Sequence, residues 1–571
     1  MLNRQRNQTK QNHNLRLAAF FVLAANMAFA AAPKVSKDLS KLPSTSNVGV
    51  IVQYFNPAGS ADATAATAVG ASNRRAFGKG KLNRYNMTPA AAAKLVAQSN
   101  VKYISVDRPI KGASFDTNIT AVSADLATNL GYDGTGIGVA VIDSGVNPVN
   151  DLKDRVVYSE NFDPSSNTTA DLYGHGTHVA GIIAGSGASS SCAHCDVTLR
   201  GVGPNANIIN LRVLDANGSA TDSTVIAAIE RAIELKNQYN IRVINLSLGR
   251  GVYESYQTDP LCQAVEDAWN AGIVVVVAAG NYGRDNSANN NGYGTITAPG
   301  NDPYAITVGA MKTNGTPGLG DDQIATYSSK GPSMIDFVVK PDLVAPGNLM
   351  VSDLSSTTAT LYTQYPQNLV PISYYKTYNN DNASSVYYSL SGTSMASPMV
   401  SGAAALLLQK TPNLTPDQVK ARLMKSASKS FAPFSSYTDP DTNITYNEQS
   451  DIFTVGAGYL DVYAALRNTD SASSAVGVAM SPTAQYDAST GQVNLVTGSS
   501  VLWGHSVLWG NSVVWGTSVL WGQSVLWGNS VCWGTSTSKG FSVIWGTSVI
   551  WGAKTNSDAM SIAIRGEKNK K

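Results

Sequence analysis

At 571 residues the chain is too long for one ordinary hydrophobic core, so several structural parts are expected. Its 41 Lys and Arg nearly balance its 39 Asp and Glu, and no basic stripe follows the leader, which argues against a nucleic-acid partner. The balance is uneven: residues 31–112 hold 12 basic against 3 acidic side chains, and residues 113–571 hold 25 against 36. Residues 1–30 read as a signal peptide, with Arg4, Arg6, Lys10 and Arg16 before the apolar stretch Leu17–Ala25 and the small-residue site Ala28-Phe29-Ala30. That stretch is too short to span a membrane, so the protein is expected to be secreted, extracellular or at the cell surface. Residues 31–112 carry a small α/β pattern: a strand over Val48–Tyr54, a helix opened by Thr88-Pro89 and running to Gln98, and a strand over Val101–Val106.

Beyond residue 112, apolar runs at Val139–Ile142, Ile208–Leu214, Val243–Leu248 and Ile273–Ala279 alternate with helical patterns at Ser223–Asn237 and Leu261–Ala271, with Gly272 as a stop signal. Short buried runs alternating with amphipathic helices predict an α/β fold, a doubly wound parallel sheet covered on both faces. Asp143 ends the first run, at the strand terminus where open α/β sheets place their sites. Gly174-His175-Gly176-Thr177-His178 enters a small-residue helix, and Asn281 follows the run that ends at Ala279. Gly392-Thr393-Ser394-Met395-Ala396-Ser397-Pro398 opens a helix apolar nearly all round, with Pro398 assigned to its first turn. A hydroxyl at such a helix N-terminus suits an acyl-transfer nucleophile, provided that a base and a group orienting the base stand nearby. The plainer readings make Ser394 an N-cap, His175 and His178 a packed pair or metal ligands, and Asp143 a capping carboxylate.

Val141-Ile142-Asp143-Ser144-Gly145, His175-Gly176-Thr177-His178 and the Ser394 segment, in that order, resemble the three motifs of subtilisin-like serine proteases, the subtilases of peptidase family S8. Asn245-Leu246-Ser247-Leu248-Gly249, Ala278-Ala279-Gly280-Asn281, Tyr327–Pro332 and Lys340–Gly347 extend the match over about residues 115–466. The resemblance implies a serine endopeptidase with Ser394 as nucleophile, His175 as base, Asp143 as its orienting partner and Asn281 as the oxyanion donor. His178 is expected to be structural. Protein or peptide substrates would lie as an added strand along Gly218, Ser219, Ala220 and Ser247, Leu248, Gly249, with Ala278, Ala279 and Gly280 adjoining. Residues 31–112 resemble the family's inhibitory prosegment, whose positive charge would help it dock on the acidic catalytic part, unless that acidity serves only solubility. No cofactor is required. Asp151 matches a family calcium ligand, but the family's calcium-loop pattern is absent, so a structural calcium is left undecided. Cys192 and Cys195 read as a local disulfide in an exported chain. The Tyr-, Ser- and Asn-rich segment Val351–Tyr388 borders the cleft or decorates the surface.

The catalytic domain is placed at residues 113–470 and a polar linker at 471–494. Residues 495–555 hold nine hexads in unbroken register, from Ser500-Val501-Leu502-Trp503-Gly504 to Ser548-Val549-Ile550-Trp551-Gly552, with eight of the nine tryptophans. A six-residue period with Gly in every unit opposes a helix and predicts a β-rich region of short strands or a solenoid. Its tryptophans form either a structural ladder or a surface for polysaccharide or the cell envelope. The second choice carries an alternative function, a surface-binding protein with secondary or no proteolysis. A polar tail, 556–571, closes the sequence.

Overall fold

The computed structural model describes residues 34–107 apart from 37, 38, 41, 78 and 79, residues 114–496 apart from 193, 378–384, 431, 470, 471 and 488–491, and residues 564, 566 and 567. The signal segment and the hexads lie outside the described residues. The chain divides into two compact units, Met1–Gly112 and Ala113–Lys571.

In the first unit, β1 (Val48–Tyr54), α1 (Ser60–Ala68), β2 (Ser72–Phe77), β3 (Leu82–Met87), α2 (Pro89–Leu95) and β4 (Val101–Val106) form an antiparallel sheet of order β2-β3-β1-β4 with two helices. Alternation along β1 buries Val50, Val52 and Tyr54 against Ala92, Leu95 and Ile104. Thr88 caps α2 by accepting from the Ala91 amide at 3.1 Å, with Pro89 at N1. The helix ends at Leu95 rather than Gln98, because the amides of Ala97 and Gln98 turn back to carbonyls three residues earlier. Helix α1 and the β2–β3 hairpin escaped the sequence reading. Alanine-rich α1 buries Ala66 as its core contact, too faint an apolar stripe to read as a face.

The second unit is built on β5 (Gly138–Asp143), β6 (Val156–Asn161), α3 (Gly176–Ala184), β7 (Asn207–Arg212), α4 (Asp222–Tyr239), β8 (Ile241–Leu246), α5 (Pro260–Asn270), β9 (Val274–Ala278), β10 (Ile306–Lys312), β11 (Gln323–Ile324) and β12 (Leu343–Pro346). The described strands join in the order β11-β10-β9-β8-β5-β7-β6, with β12 also on β10; every pairing is parallel except β10–β11. Strands β5 and β9 are buried at every position, as a parallel strand covered on both faces must be. Because β5 lies between β7 and β8, the chain reverses its winding there, and a crevice opens at the carboxyl ends of these strands. Asp259 caps α5 through the Leu261 amide, and Gly272, at φ +82°, stops it.

Strands β13 (Met350–Asp353) and β14 (Tyr387–Leu390) pair antiparallel and lead into α6 (Thr393–Lys410), of which fifteen residues are buried. Pro398 is not in the first turn as expected: it is the sixth residue of α6, where its missing N–H leaves the Ser394 carbonyl without an intrahelical donor. Ser247, just past β8, supplies that bond, its Oγ donating to Ser394 O at 2.8 Å. Asn245 Nδ2 donates to the same Ser247 Oγ at 2.8 Å, and Ser401 Oγ donates to Asn245 Oδ1 at 2.8 Å, fastening α6 to β8.

Helix α7 (Pro416–Ser426), capped by Thr415, and the hairpin β15 (Phe434–Thr438) and β16 (Thr445–Gln449) follow. Two expectations at the C-terminal side need correction. Within the linker expected at 471–494 the described residues pack: the Ala479 amide donates to Asp417 Oδ1, Ser481 Oγ donates to Asp342 Oδ1, and the hairpin β17 (Thr483–Asp487) and β18 (Gln492–Val496) buries Ala484 and Val493. Buried carboxylates that need donors draw this polar stretch onto the domain. In the tail, Ile564 and Glu567 are buried in the same unit. Replacing Ser247 by alanine is expected to cost about 1–3 kcal/mol, the price of a buried carbonyl left without a donor. Urea unfolding of Ser247→Ala beside the parent checks it.

Candidate active site

Strand β5 carries Asp143 to the crevice and buries it completely. Its Oδ1 accepts from the Ser144 amide at 2.7 Å and lies 2.8 Å from His175 Nδ1. Oδ2 has no hydrogen-bond partner among the described residues. His175 stands immediately before α3, held by an acceptor that the sequence reading missed. Asp171 is buried and accepts from the amides of Gly174 at 2.7 Å and Thr177 at 2.9 Å and from Ser144 Oγ at 2.8 Å. Ser144 Oγ in turn accepts from the Gly176 amide at 2.9 Å. Orphan amides at the start of α3 are thereby satisfied. The available signal was a carboxylate three residues before Gly174.

Burial disfavours charge on His175, but the adjacent Asp143 carboxylate, its hydrogen bond and the more distant Asp171 outweigh it and hold the imidazole pKa above its ordinary value. His178, three residues on, is driven the other way, to about 3, first by burial and then by repulsion from His175. Its Nε2 lies 3.1 Å from the carbonyls of both Met350 and Tyr388, so it ties α3 to β13 and β14, the structural place expected of it.

His175 and Ser394 line one cleft of about 510 Å³ with Asn281. Ser394 Oγ donates to the Ser247 carbonyl at 3.2 Å, and the residue sits in the first turn of α6, whose dipole favours negative charge beside it. Asn281 accepts through Oδ1 from the Thr393 amide at 2.9 Å and from Thr393 Oγ1 at 3.1 Å, which leaves its Nδ2 as the end available to a ligand. Thr393 Oγ1 also accepts from the Gly280 amide at 3.1 Å, so the residue before Ser394 orients Asn281. Gly280 needs its glycine: φ is +104°, and a Cβ would lie 2.8 Å from Ser329 Oγ.

The family model for the Subtilase family matches residues 134–458, more than half of the chain. Serine protease AprX of Bacillus subtilis (strain 168) is 36% identical over 420 residues, covering 71% of this chain and 87% of that protein. Subtilisin DY of Bacillus licheniformis is 34% identical over 310 residues, covering 54% and 90%. A crystal structure of a cold adapted subtilisin-like serine proteinase aligns at 28% identity with a TM-score of 0.39, over 58% of this chain and 90% of that one.

The chain belongs to the subtilase family. It is a subtilisin-like serine protease, acting on protein or peptide substrates.

Around the subtilase cleft, Gly218, Ser219, Ala220, Ser247, Leu248, Gly249, Ala278 and Gly280 all line the wall. Ala279 does not: it is fully buried, its amide bonds Val308 O and its carbonyl accepts from the Thr297 amide, so it faces the neighbouring backbone. The Val351–Tyr388 segment does border the cleft. Leu361 lines it, anchored by its amide on Tyr173 O at 2.9 Å and by Tyr388 Oη donating to its carbonyl at 2.9 Å. Cys192 and Cys195 are joined as a disulfide. Asp151 is buried, and each carboxylate oxygen already accepts from the protein, Oδ1 from the Ser189 amide at 2.7 Å and Oδ2 from Tyr387 Oη at 2.6 Å. In an NMR titration of the Ser394→Ala protein, His175 is expected to titrate with a midpoint above 6.5, whereas His178 stays neutral from about pH 5 to 8. Replacing Asp143 by asparagine removes the largest influence favouring the imidazolium and moves the His175 midpoint down.

Proposed function

We propose that this subtilase is an exported endopeptidase, made as an inhibited precursor and matured by its own Ser394. The observation that carries the reading is the 2.8 Å contact between buried Asp143 and His175 in a cleft that also holds Ser394 and Asn281. Ser394 Oγ attacks the scissile carbonyl while neutral His175 takes its proton. Asp143 keeps the imidazole in the accepting tautomer and stabilises the imidazolium. The carbonyl oxygen, now an anion, is received by Asn281 Nδ2 and the Ser394 amide. His175 returns its proton to the departing amine, and water then releases the acyl group by the same steps in reverse order.

The residues Gly218–Ala220 and Ser247–Gly249 along the wall support main-chain recognition of an extended peptide with modest side-chain selectivity. Export rests on the signal-like first thirty residues, and no described helix is long and apolar enough to cross a membrane. Residues 31–112 fit an inhibitory prosegment by position and by their excess of positive charge over an acidic catalytic part.

Wild type and Ser394→Ala, expressed side by side, are expected to differ at the N-terminus: sequencing finds a new end near residue 112 in the wild type alone. Equal maturation of both would refute processing by Ser394. In the mature enzyme, Asn281→Ala is expected to lower kcat by about 10²–10³ with little change in KM, the loss known for the oxyanion asparagine of a subtilisin. Steady-state kinetics on a chromogenic peptide measure it.

A further inference from the structure

Ile564, Gly566 and Glu567 fall in a stretch that reads as a polar tail, yet they are built into the catalytic unit. Glu567 is 2% exposed. Its Oε1 accepts from the Thr326 amide at 2.8 Å, from Thr326 Oγ1 at 2.5 Å and from Arg284 Nη2 at 3.1 Å, while Oε2 lies 3.3 Å from Lys312 Nζ. Asn348 clasps its backbone from both sides, accepting from the Glu567 amide at 2.8 Å and donating to its carbonyl at 3.0 Å. The β15–β16 hairpin encloses the socket: Asp439 pairs with Arg284 Nη1 at 2.6 Å, Tyr446 lies under the Arg284 guanidinium at 4.3 Å, and Tyr437 faces Lys312 Nζ at 4.5 Å. From the hairpin, Asp439 meets Arg284 alone; Glu567 meets both Arg284 and Lys312. Without it the socket holds uncompensated positive charge out of water, a costly state.

Gly566 and Ile564 carry this anchor back to the cleft. Gly566 adopts φ +67°, and a Cβ there would lie 2.4 Å from Ser391 Oγ and 2.5 Å from Leu349 Cδ2, so glycine is required for so close an approach. The Ile564 carbonyl accepts from Asn368 Nδ2 at 2.6 Å, and the same amide donates to Ser389 O at 3.0 Å. The Ile564 side chain, 7% exposed, lines the cleft with Leu361, Leu390, Ser391 and Ser394.

We propose that Ile564 is a specificity-determining residue, held by Glu567 as the wall of the cleft that meets the departing half of the substrate. The inference rests on the endopeptidase reading, in which an extended peptide runs along 218–220 and 247–249, and takes that stretch to hold the acyl half. The contacts of Ile564, Gly566 and Glu567 include Asn368, Ser391, Leu349 and Asn348, none of them on either segment, and Ser391 stands three residues before Ser394. An isoleucine packed there occupies the volume that a large side chain just after the scissile bond would need, so the docked tail selects small residues at that position.

Full-length mature enzyme and the Glu567→Lys and Ile564→Gly variants are compared on paired peptides with Ala or Phe after the scissile bond. Both variants are expected to raise the Phe/Ala ratio of kcat/KM at least tenfold. A synthetic peptide of residues 560–571, added to Glu567→Lys enzyme, restores the parent ratio, and the same peptide with lysine for glutamate does not. An unchanged ratio in Ile564→Gly, which leaves the anchor intact, overturns the specificity role. Docking is read separately by hydrogen exchange in the inactive Ser394→Ala protein, where the Glu567 amide is expected to be protected and to lose protection in the Glu567→Lys double variant. Free exchange at that amide overturns the docking itself. Absence of cleavage of any peptide refutes the endopeptidase reading instead, while the exchange measurement still judges the socket.

Discussion

The carbonyl of Ser394 must find a donor, because Pro398, four residues on, has none to give. Ser247 answers from the end of β8, and that one bond sets where α6 begins relative to the sheet. A helix so thoroughly buried could slide along its axis at little hydrophobic cost, since most of its faces are apolar or small. Its polar contacts remove that freedom. Ser247 and Asn245 hold one side through Ser397 and Ser401, and Asn281 holds the first turn through Thr393. Ser394, Asn281 and a wall of the cleft are therefore placed by one hydrogen-bonded network rather than by three separate local structures.

The same economy governs the charges. Asp143 and Asp171 are both buried within reach of His175, yet they do different things, and the difference is in their partners. Asp171 spends its oxygens on the amides that begin α3 and so fixes the ring's position. Asp143 presents Oδ1 to the ring itself and so fixes its tautomer. His178 belongs to the same helix but bonds backbone carbonyls, and burial without a carboxylate keeps it neutral. Two histidines three residues apart are thus driven to opposite protonation behaviour by what each one faces.

The cleft is completed by segments far away in sequence. Leu361 reaches it from the long connection between β13 and β14, and Ile564 reaches it from the end of the chain, each fastened by bonds to backbone groups or buried charge. The hexads are bracketed in sequence by Val496 and Ile564, both in the catalytic unit. Whatever the tryptophans contact, the repeat is joined to that unit at both of its ends.

Much of this was legible in the chain. The buried strands could be read because a parallel strand covered on both faces has to be apolar throughout, and Val274–Ala278 is nothing else. Asp143, His175 and Ser394 could be named because their motifs sit at strand and helix ends, where local geometry alone exposes them. The hairpin of β2 and β3 could not be read so, since β2 is exposed along its whole length and shows no apolar face, and the linker that packs and the tail that docks depend on partners distant in sequence. Polar residues look solvated until a buried counter-charge claims them: Glu567 needs Arg284 and Lys312, which lie 283 and 255 positions away. Family, sheet and the chemical groups at the cleft follow from the order of the amino acids. Their alignment, the capping role of Asp171 and the walling of the cleft come only with the folded chain, because those depend on long-range pairing of buried polar groups that no local pattern records.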